Sequence, residues 1–234
     1  MKKRKSIICL LLLLLLLLSI GGTLAYLTSN QSQNNTFTAG KVQISLDEAV
    51  VENSGGNLVA KGKERTSENQ SYHLYPAMTV RKDPTITVDT ASEDAYIAAT
   101  ITVKGDIHDL IGVEKSDNIN LTKLISGGLL EEVNEETDWN GLTVYQNDNF
   151  VLYQKANKAE KTWTLYLFVK ASKAAGSKTV LFDTLTVPSN YDNAEMAKIN
   201  GMTIVVTAYA TQTNGFTDCY KAMTSAFPSV FQFT

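Results

Sequence analysis

The chain has 234 residues, of which 44% are hydrophobic and 19% charged, with 14 Gly and only 4 Pro. That suffices for one generous domain or two small ones and excludes a wholly disordered or collagen-like chain. Residues 1–25 hold four basic side chains and no acid, so the remaining 209 residues carry 17 basic and 24 acidic groups, a net charge of −7 that disfavours phosphate backbones and excludes nucleic acid as an expected partner.

The first segment reads as an export signal. Lys2, Lys3, Arg4 and Lys5 form a basic start, and residues 7–20 form an apolar core with nine consecutive leucines at 10–18. Gly21 and Gly22 break the run, and Thr23-Leu24-Ala25 places small residues at −3 and −1 of a cleavage point between Ala25 and Tyr26. A second reading stays open, because residues 7–27 carry no charge and are long enough to span a bilayer. Left uncut, the segment would be an anchor with its basic end inside. Either way the body is expected on the outer side.

The body reads as mainly strand. Val42, Ile44 and Leu46 alternate with polar neighbours, the pattern of a half-buried strand. Residues 47–74 then turn polar, with Glu52-Asn53-Ser54-Gly55-Gly56 and a run from Lys61 to Gln70, and are expected to be a long loop or a ragged excursion. Met78-Thr79-Val80 and Thr85-Ile86-Thr87-Val88 follow as short strands, and Ile97, Ala99, Ile101 and Val103 share one face of a longer one. Residues 105–131 space Ile107, Leu110 and Ile111, and then Leu121, Leu124 and Ile125, as short helices do, with Gly127-Gly128 as a stop. Two apolar runs at 142–145 and 150–153 flank Gln146-Asn147-Asp148-Asn149 as a hairpin. Trp163, Leu165, Leu167 and Val169 alternate through the next strand. Residues 179–187 form another, stopped by Pro188, and residues 193–199 fit one or two helical turns. Residues 202–211 make a long strand with Ile204, Val206, Ala208 and Ala210 on one face. Phe216, Cys219, Tyr220, Met223 and Phe227 recur at helical spacing and predict an amphipathic C-terminal helix. Many short strands, no fixed repeat and no β-α-β alternation predict a single antiparallel β-sandwich over residues 41–234, with a helical insertion around 105–131.

Chemistry-bearing residues are few. Cys9 lies in the leader, so Cys219 stands alone in the body, no disulfide framework is possible there, and the residue reads as a small buried apolar side chain. His73 and His108 lie 35 positions apart, and HExxH, CxxC and Gly-rich phosphate loops are missing from the sequence. Neither a catalytic residue nor a metal ligand is assigned, and no cofactor is expected.

Two boxes carry a family resemblance. The stretch Gly21-Gly22-Thr23-Leu24-Ala25-Tyr26-Leu27, followed by Asn35-Thr36-Phe37-Thr38-Ala39-Gly40, resembles the start of the TasA and camelysin family of Gram-positive exported proteins. Tyr75-Pro76 and Lys82-Asp83-Pro84 resemble that family's Pro-Gly-x-x-x-x-Lys turn, with Ala77 in the place of its glycine. Ala208-Tyr209-Ala210-Thr211-Gln212 and Asn214-Gly215-Phe216 resemble the closing box and its helix. Residues 105–160 match no box of that family. The resemblance implies a leader cut by a SipW-type signal peptidase and a jelly-roll-like domain. It also implies a secreted subunit that polymerises head to tail into biofilm matrix fibres, with minor matrix or anchor proteins as further partners. Residues 26–40 would be the donor strand that completes the sheet of the next copy, with Tyr26, Leu27, Asn35, Thr36, Phe37, Thr38, Ala39 and Gly40 as its residues. Strand addition needs no cofactor, because an unpaired sheet edge supplies backbone donors and acceptors. On the residues alone, residues 26–40 read first as an unstructured new N-terminus, since residues 29–35 show no apolar alternation.

Other classes stay open beside the fibre subunit. A surface adhesin or binding module is one. A camelysin-like metallopeptidase is another, although Tyr72 and Leu74 flank His73, and no second histidine stands one helical turn from His108. The acidic run Glu131, Glu132, Glu135, Glu136 and Asp138 reads as a solvated surface or a calcium site without EF-hand spacing. Strand Tyr and Phe residues read as cross-strand packing or a carbohydrate surface.

Overall fold

Strict alternation decides the central strand. In β5 (Ala95–Lys104) Ile97, Ala99, Ile101 and Val103 point into one buried cluster, while Ala98 points into a second cluster on the other side. A strand buried on both faces lies in the middle of a layered protein. The computed structural model describes residues 40–105, 131–132, 142–157 and 159–233, and Gly40–Thr234 forms one compact unit. The leader, residues 26–39 and the helical insertion expected at 106–130 lie outside the described residues.

Two six-stranded sheets make a mainly β, antiparallel sandwich with a few short helices. The second sheet runs β12-β5-β9-β8-β7-β6, with β6 (Glu131–Glu132), β7 (Thr143–Gln146), β8 (Phe150–Asn157), β9 (Thr162–Val169) and β12 (Thr203–Gln212). The hairpin expected over 142–153 is β7–β8, and β9 buries Trp163, Leu165, Leu167 and Val169 as expected. The first sheet runs β10-β4-β1-β2-β3-β11, with β1 (Ile44–Ser54), β2 (Asn57–Thr66), β3 (Thr79–Arg81), β4 (Thr85–Val88), β10 (Lys178–Val180) and β11 (Thr184–Thr186). Val80, Ile86, Leu181 and Phe182 from this side share one core cluster with Ile97, Leu165 and Trp163 from the other, so the sheets pack face to face. All strand pairs are antiparallel except a single parallel contact, Leu58 with Val80.

Three expectations need correction. Residues 47–74 are not one loop, since β1 continues to Ser54 and turns through Gly55 and Gly56 into β2. Both glycines have positive φ, +59° and +84°, which a two-residue hairpin turn of this hand requires. The ribbon reaches past the sandwich, so most of β2 is exposed on both faces and loses the alternation that marks a strand. Second, residues 179–187 are two strands rather than one. β10 pairs with β4 and β11 with β3, and the interruption matches Lys82-Asp83-Pro84 on the partner strand, where Pro84 has no N–H to offer. The two chains stay in register across the gap through Lys82 N–H to Asp183 O and Leu181 N–H to Pro84 O, both 3.0 Å.

Third, the C-terminal helix is shorter than its pattern. Phe216 belongs to a turn, with its N–H on Thr213 O, and Asp218 caps α2 (Cys219–Ala226) by accepting from Lys221 N–H at 2.8 Å. Pro228 then starts a separate turn, α3 (Pro228–Phe231). Ahead of β12, α1 (Asn193–Ile199) carries a full capping box between Asp192 and Glu195. The outer face of the second sheet is sealed by α2 and α3 through Tyr153, Tyr166, Phe168, Tyr209, Phe227 and Phe231, with ring centroids mostly 5–6 Å apart. These aromatic side chains are packing residues, as the cross-strand reading expects.

Candidate functional site

The sheet edges differ in how they are guarded. β10 and β11 are three residues long, and β6 consists of two glutamates. β2, which meets β3 only at Leu58, carries Lys61, Lys63 and Arg65 at alternate positions along the rest of its length, and such charges resist further pairing. β12 has none of these defences. Its ten residues include no charge, Pro or Gly, and it bonds to β5 on one side and to no second strand among the described residues. Val205 on this edge is 55% exposed.

The face that β12 turns inward is also incompletely covered. Ile204, Val206, Ala208 and Ala210 pack against the core yet stay half-buried. A cavity of about 780 Å³ lies beside Ile204, the first of them, walled by Tyr72, Leu74, Val80 and Leu185 and by the polar Glu48, Gln70 and Lys82. A smaller hollow of about 140 Å³ separates Leu46 on β1 from Val206 on β12. At this margin β1 and β12 approach each other without pairing, and the hollows beside them have both apolar and polar walls.

Ion pairs hold the opposite wall of that margin. Asp83, 4% exposed, accepts from Ala49 N–H at 2.7 Å, from Arg65 Nη1 at 3.0 Å and from Arg81 Nη2 at 3.2 Å. Arg65 also donates to Asp47 Oδ1 and to Thr85 Oγ1, so one guanidinium ties β2 to β1 and β4. Burial alone would raise the Asp83 pKa, but the Ala49 N–H and the two arginines outweigh it and hold it below the usual carboxylate range. On the inner side, Lys82 Nζ meets Glu48 Oε2 at 2.6 Å, with side chains only 11% and 13% exposed. Tyr72 Oη donates to Glu48 Oε1 at 3.2 Å and Gln70 Nε2 to the same oxygen at 3.0 Å.

The sequence-derived site residues fall mostly elsewhere. Ala25, Tyr26, Leu27, Asn35, Thr36, Phe37, Thr38 and Ala39 lie outside the described residues. Gly40 is exposed, with the Glu93 side chain 3.2 Å from where a Cβ would stand, and the adjoining Lys41 O accepts from Glu93 N–H. His108, Glu135, Glu136 and Asp138 also lie outside, while β6 supplies the backbone of Glu131 and Glu132. His73 sits against the Tyr75 ring at 5.1 Å, and among the described residues no group of three His, Cys, Asp or Glu could hold a metal ion. Cys219 is buried as expected. Its Sγ contacts Ile97 O at 3.3 Å, and burial pushes the thiol pKa up to about 12. Ala77, which stands in place of the family's glycine, adopts φ +66° with Pro76 before it and Met78 N–H bonded to Tyr75 O. That is a type II turn, whose third position favours Gly.

Sequence reading did not find the β12 edge or the Glu48–Lys82 pair. For the pair a signal exists. The alternation Ile44, Leu46 puts Glu48 at the next core-facing place, and Val80 does the same for Lys82. No family model, no curated protein and no solved structure matches this chain.

Proposed function

We propose that the chain is an exported structural subunit that assembles head to tail into extracellular fibres, with residues 26–40 of one copy adding to the β12 edge of the next. The observation that supports this reading most is the edge itself. Ten uncharged residues stand with no second strand partner among the described residues, and a cavity of about 780 Å³ with mixed apolar and polar walls lies at the start of the strand. Residues 26–40 carry no charge and no Pro, and Phe37 and Ala39 alternate with Thr36 and Thr38. An added strand would satisfy the backbone of β12 while Phe37 entered the cavity, a burial worth about 2 kcal/mol. Donor and acceptor are different segments of each copy, so the contact is head to tail and can propagate as a filament. Placing the chain with the TasA and camelysin family, with a SipW-type peptidase releasing Tyr26, accounts for the timing, since the donor exists only after cleavage.

The cavity supports a second reading, a surface module that binds a small ligand. Self-association without ligand separates the two. Val205→Lys puts a charge on the edge strand without touching the buried core. The fibre reading expects the cleaved variant to keep its circular dichroism and lose its filaments by light scattering and negative-stain microscopy. Filaments at the wild-type concentration would count against β12 as the acceptor.

A further inference from the structure

Glu48 and Lys82 occupy core-facing places that Ile44, Leu46 and Val80 lead up to. A largely desolvated ion pair such as this one gains little net stability, because desolvating the charges offsets their attraction. The arrangement around this pair is more specific than a salt bridge needs. Lys82 Nζ lies 2.6 Å from Glu48 Oε2, and the other oxygen, Oε1, receives two hydrogen bonds, from Tyr72 Oη and Gln70 Nε2. A nitrogen at that distance from one carboxylate oxygen is within about 3–3.5 Å of its carbon, the near-attack range.

We infer that Glu48 and Lys82 are the site of a self-generated amide cross-link between β1 and the residue that follows β3. Lys82 passes a proton to Glu48 Oε2 across the 2.6 Å contact, and both groups become neutral. The amine lone pair attacks Cδ and forms the C–N bond, and the displaced electron pair moves onto Oε1. Tyr72 Oη–H and Gln70 Nε2–H donate to that oxygen and stabilise its charge as an oxyanion hole does. Collapse breaks the Cδ–Oε2 bond, and the oxygen leaves as water with a second proton from the nitrogen. Ammonium plus carboxylate becomes amide plus water, so charge and atoms balance and no outside reagent takes part. The cavity that both residues line receives the water. The reaction removes two partly buried charges, which favours it, and the fold holds the reactants in place.

Peptide mass mapping of the purified full-length chain tests this. The expected intact mass is one water below that of the unlinked chain. Trypsin should then release residues 42–61 joined through Glu48 to residues 82–104, with Lys82 uncut. Lys82→Arg keeps a cation against Glu48 and cannot condense at this site, so it should fold and show the full mass. Tyr72→Phe removes one of the two donors and should link on the order of 10²-fold more slowly in a time course after refolding. A wild-type chain at full mass, or a water loss that persists in Lys82→Arg, would overturn the cross-link. Linking of Tyr72→Phe at the wild-type rate would overturn the role given to Tyr72.

Discussion

Asp83 offers the most direct energetic test of how the margin between β1 and β12 is held. It is 4% exposed and accepts three hydrogen bonds, one from backbone and two from guanidinium groups. Asp83→Ala leaves the Ala49 N–H and two cations without their acceptor. Removing one partner of a buried pair costs about 3–5 kcal/mol. Arg65 and Arg81 keep side-chain exposures of 28% and 37%, so water screens part of that loss, and about 3 kcal/mol is expected. Asp83→Asn keeps an oxygen for the Ala49 N–H and removes only the charge, at a cost of about 1–2 kcal/mol. For a body of this size that means a melting temperature lower by roughly 3–6 °C for Asn and about 6–12 °C for Ala. The folded Asp83 pKa lies below its unfolded one, so its stabilisation is complete above about pH 4 and is lost as pH falls through the folded value. Thermal unfolding of dilute wild-type and Asp83→Asn protein, followed by circular dichroism, should show the full gap at pH 7 and a gap that narrows as pH falls below about 4. An Asn variant as stable as wild type at pH 7, or a gap unchanged in acid, would refute the charge argument.

Other outcomes follow from single positions. Ala77→Gly relieves a left-handed residue in the Tyr75–Met78 turn and should raise stability by about 1 kcal/mol in denaturant titration. Cys219, with its thiol pushed up to about 12, should resist thiol reagents at pH 8 in the folded protein and react fully once unfolded. Intact mass of the exported protein should begin at Tyr26, and a mass that includes residues 1–25 would favour the uncut anchor.

Much of the sandwich is legible in the sequence because most of its strands bury one face or both. β5, β9 and β12 alternate cleanly, and their inward residues are Ile97, Leu165, Ile204 and their neighbours. Where a strand has water on both sides, alternation carries no information, and β2 is hidden among Lys61, Lys63 and Glu64 for that reason. Its one available signal is the Gly55-Gly56 turn. The break between β10 and β11 is set by Pro84 on a partner strand far away in sequence, so no local reading of residues 179–187 reveals it. The C-terminal helix shows the reverse, since its spacing is real but Asp218 and Pro228 cut it at both ends. The free edge of β12 is a property of sheet order. A strand such as β12 becomes an edge only because β5 lies on one side of it and no strand among the described residues on the other. The Glu48–Lys82 pair was open to inference from charge at core-facing places, once β1 and β3 were aligned.

The central claim is that polymerisation depends on residues 26–40 as a free extended end. The direct measurement compares filament formation by the cleaved chain starting at Tyr26 with that of a chain starting at Val42, at matched concentrations. Both should give the same circular dichroism, because β1 begins at Ile44 and the body keeps all its strands. The account predicts filaments from the first and monomers from the second. Filaments from the chain starting at Val42 at the same concentration would contradict it and move assembly to another surface.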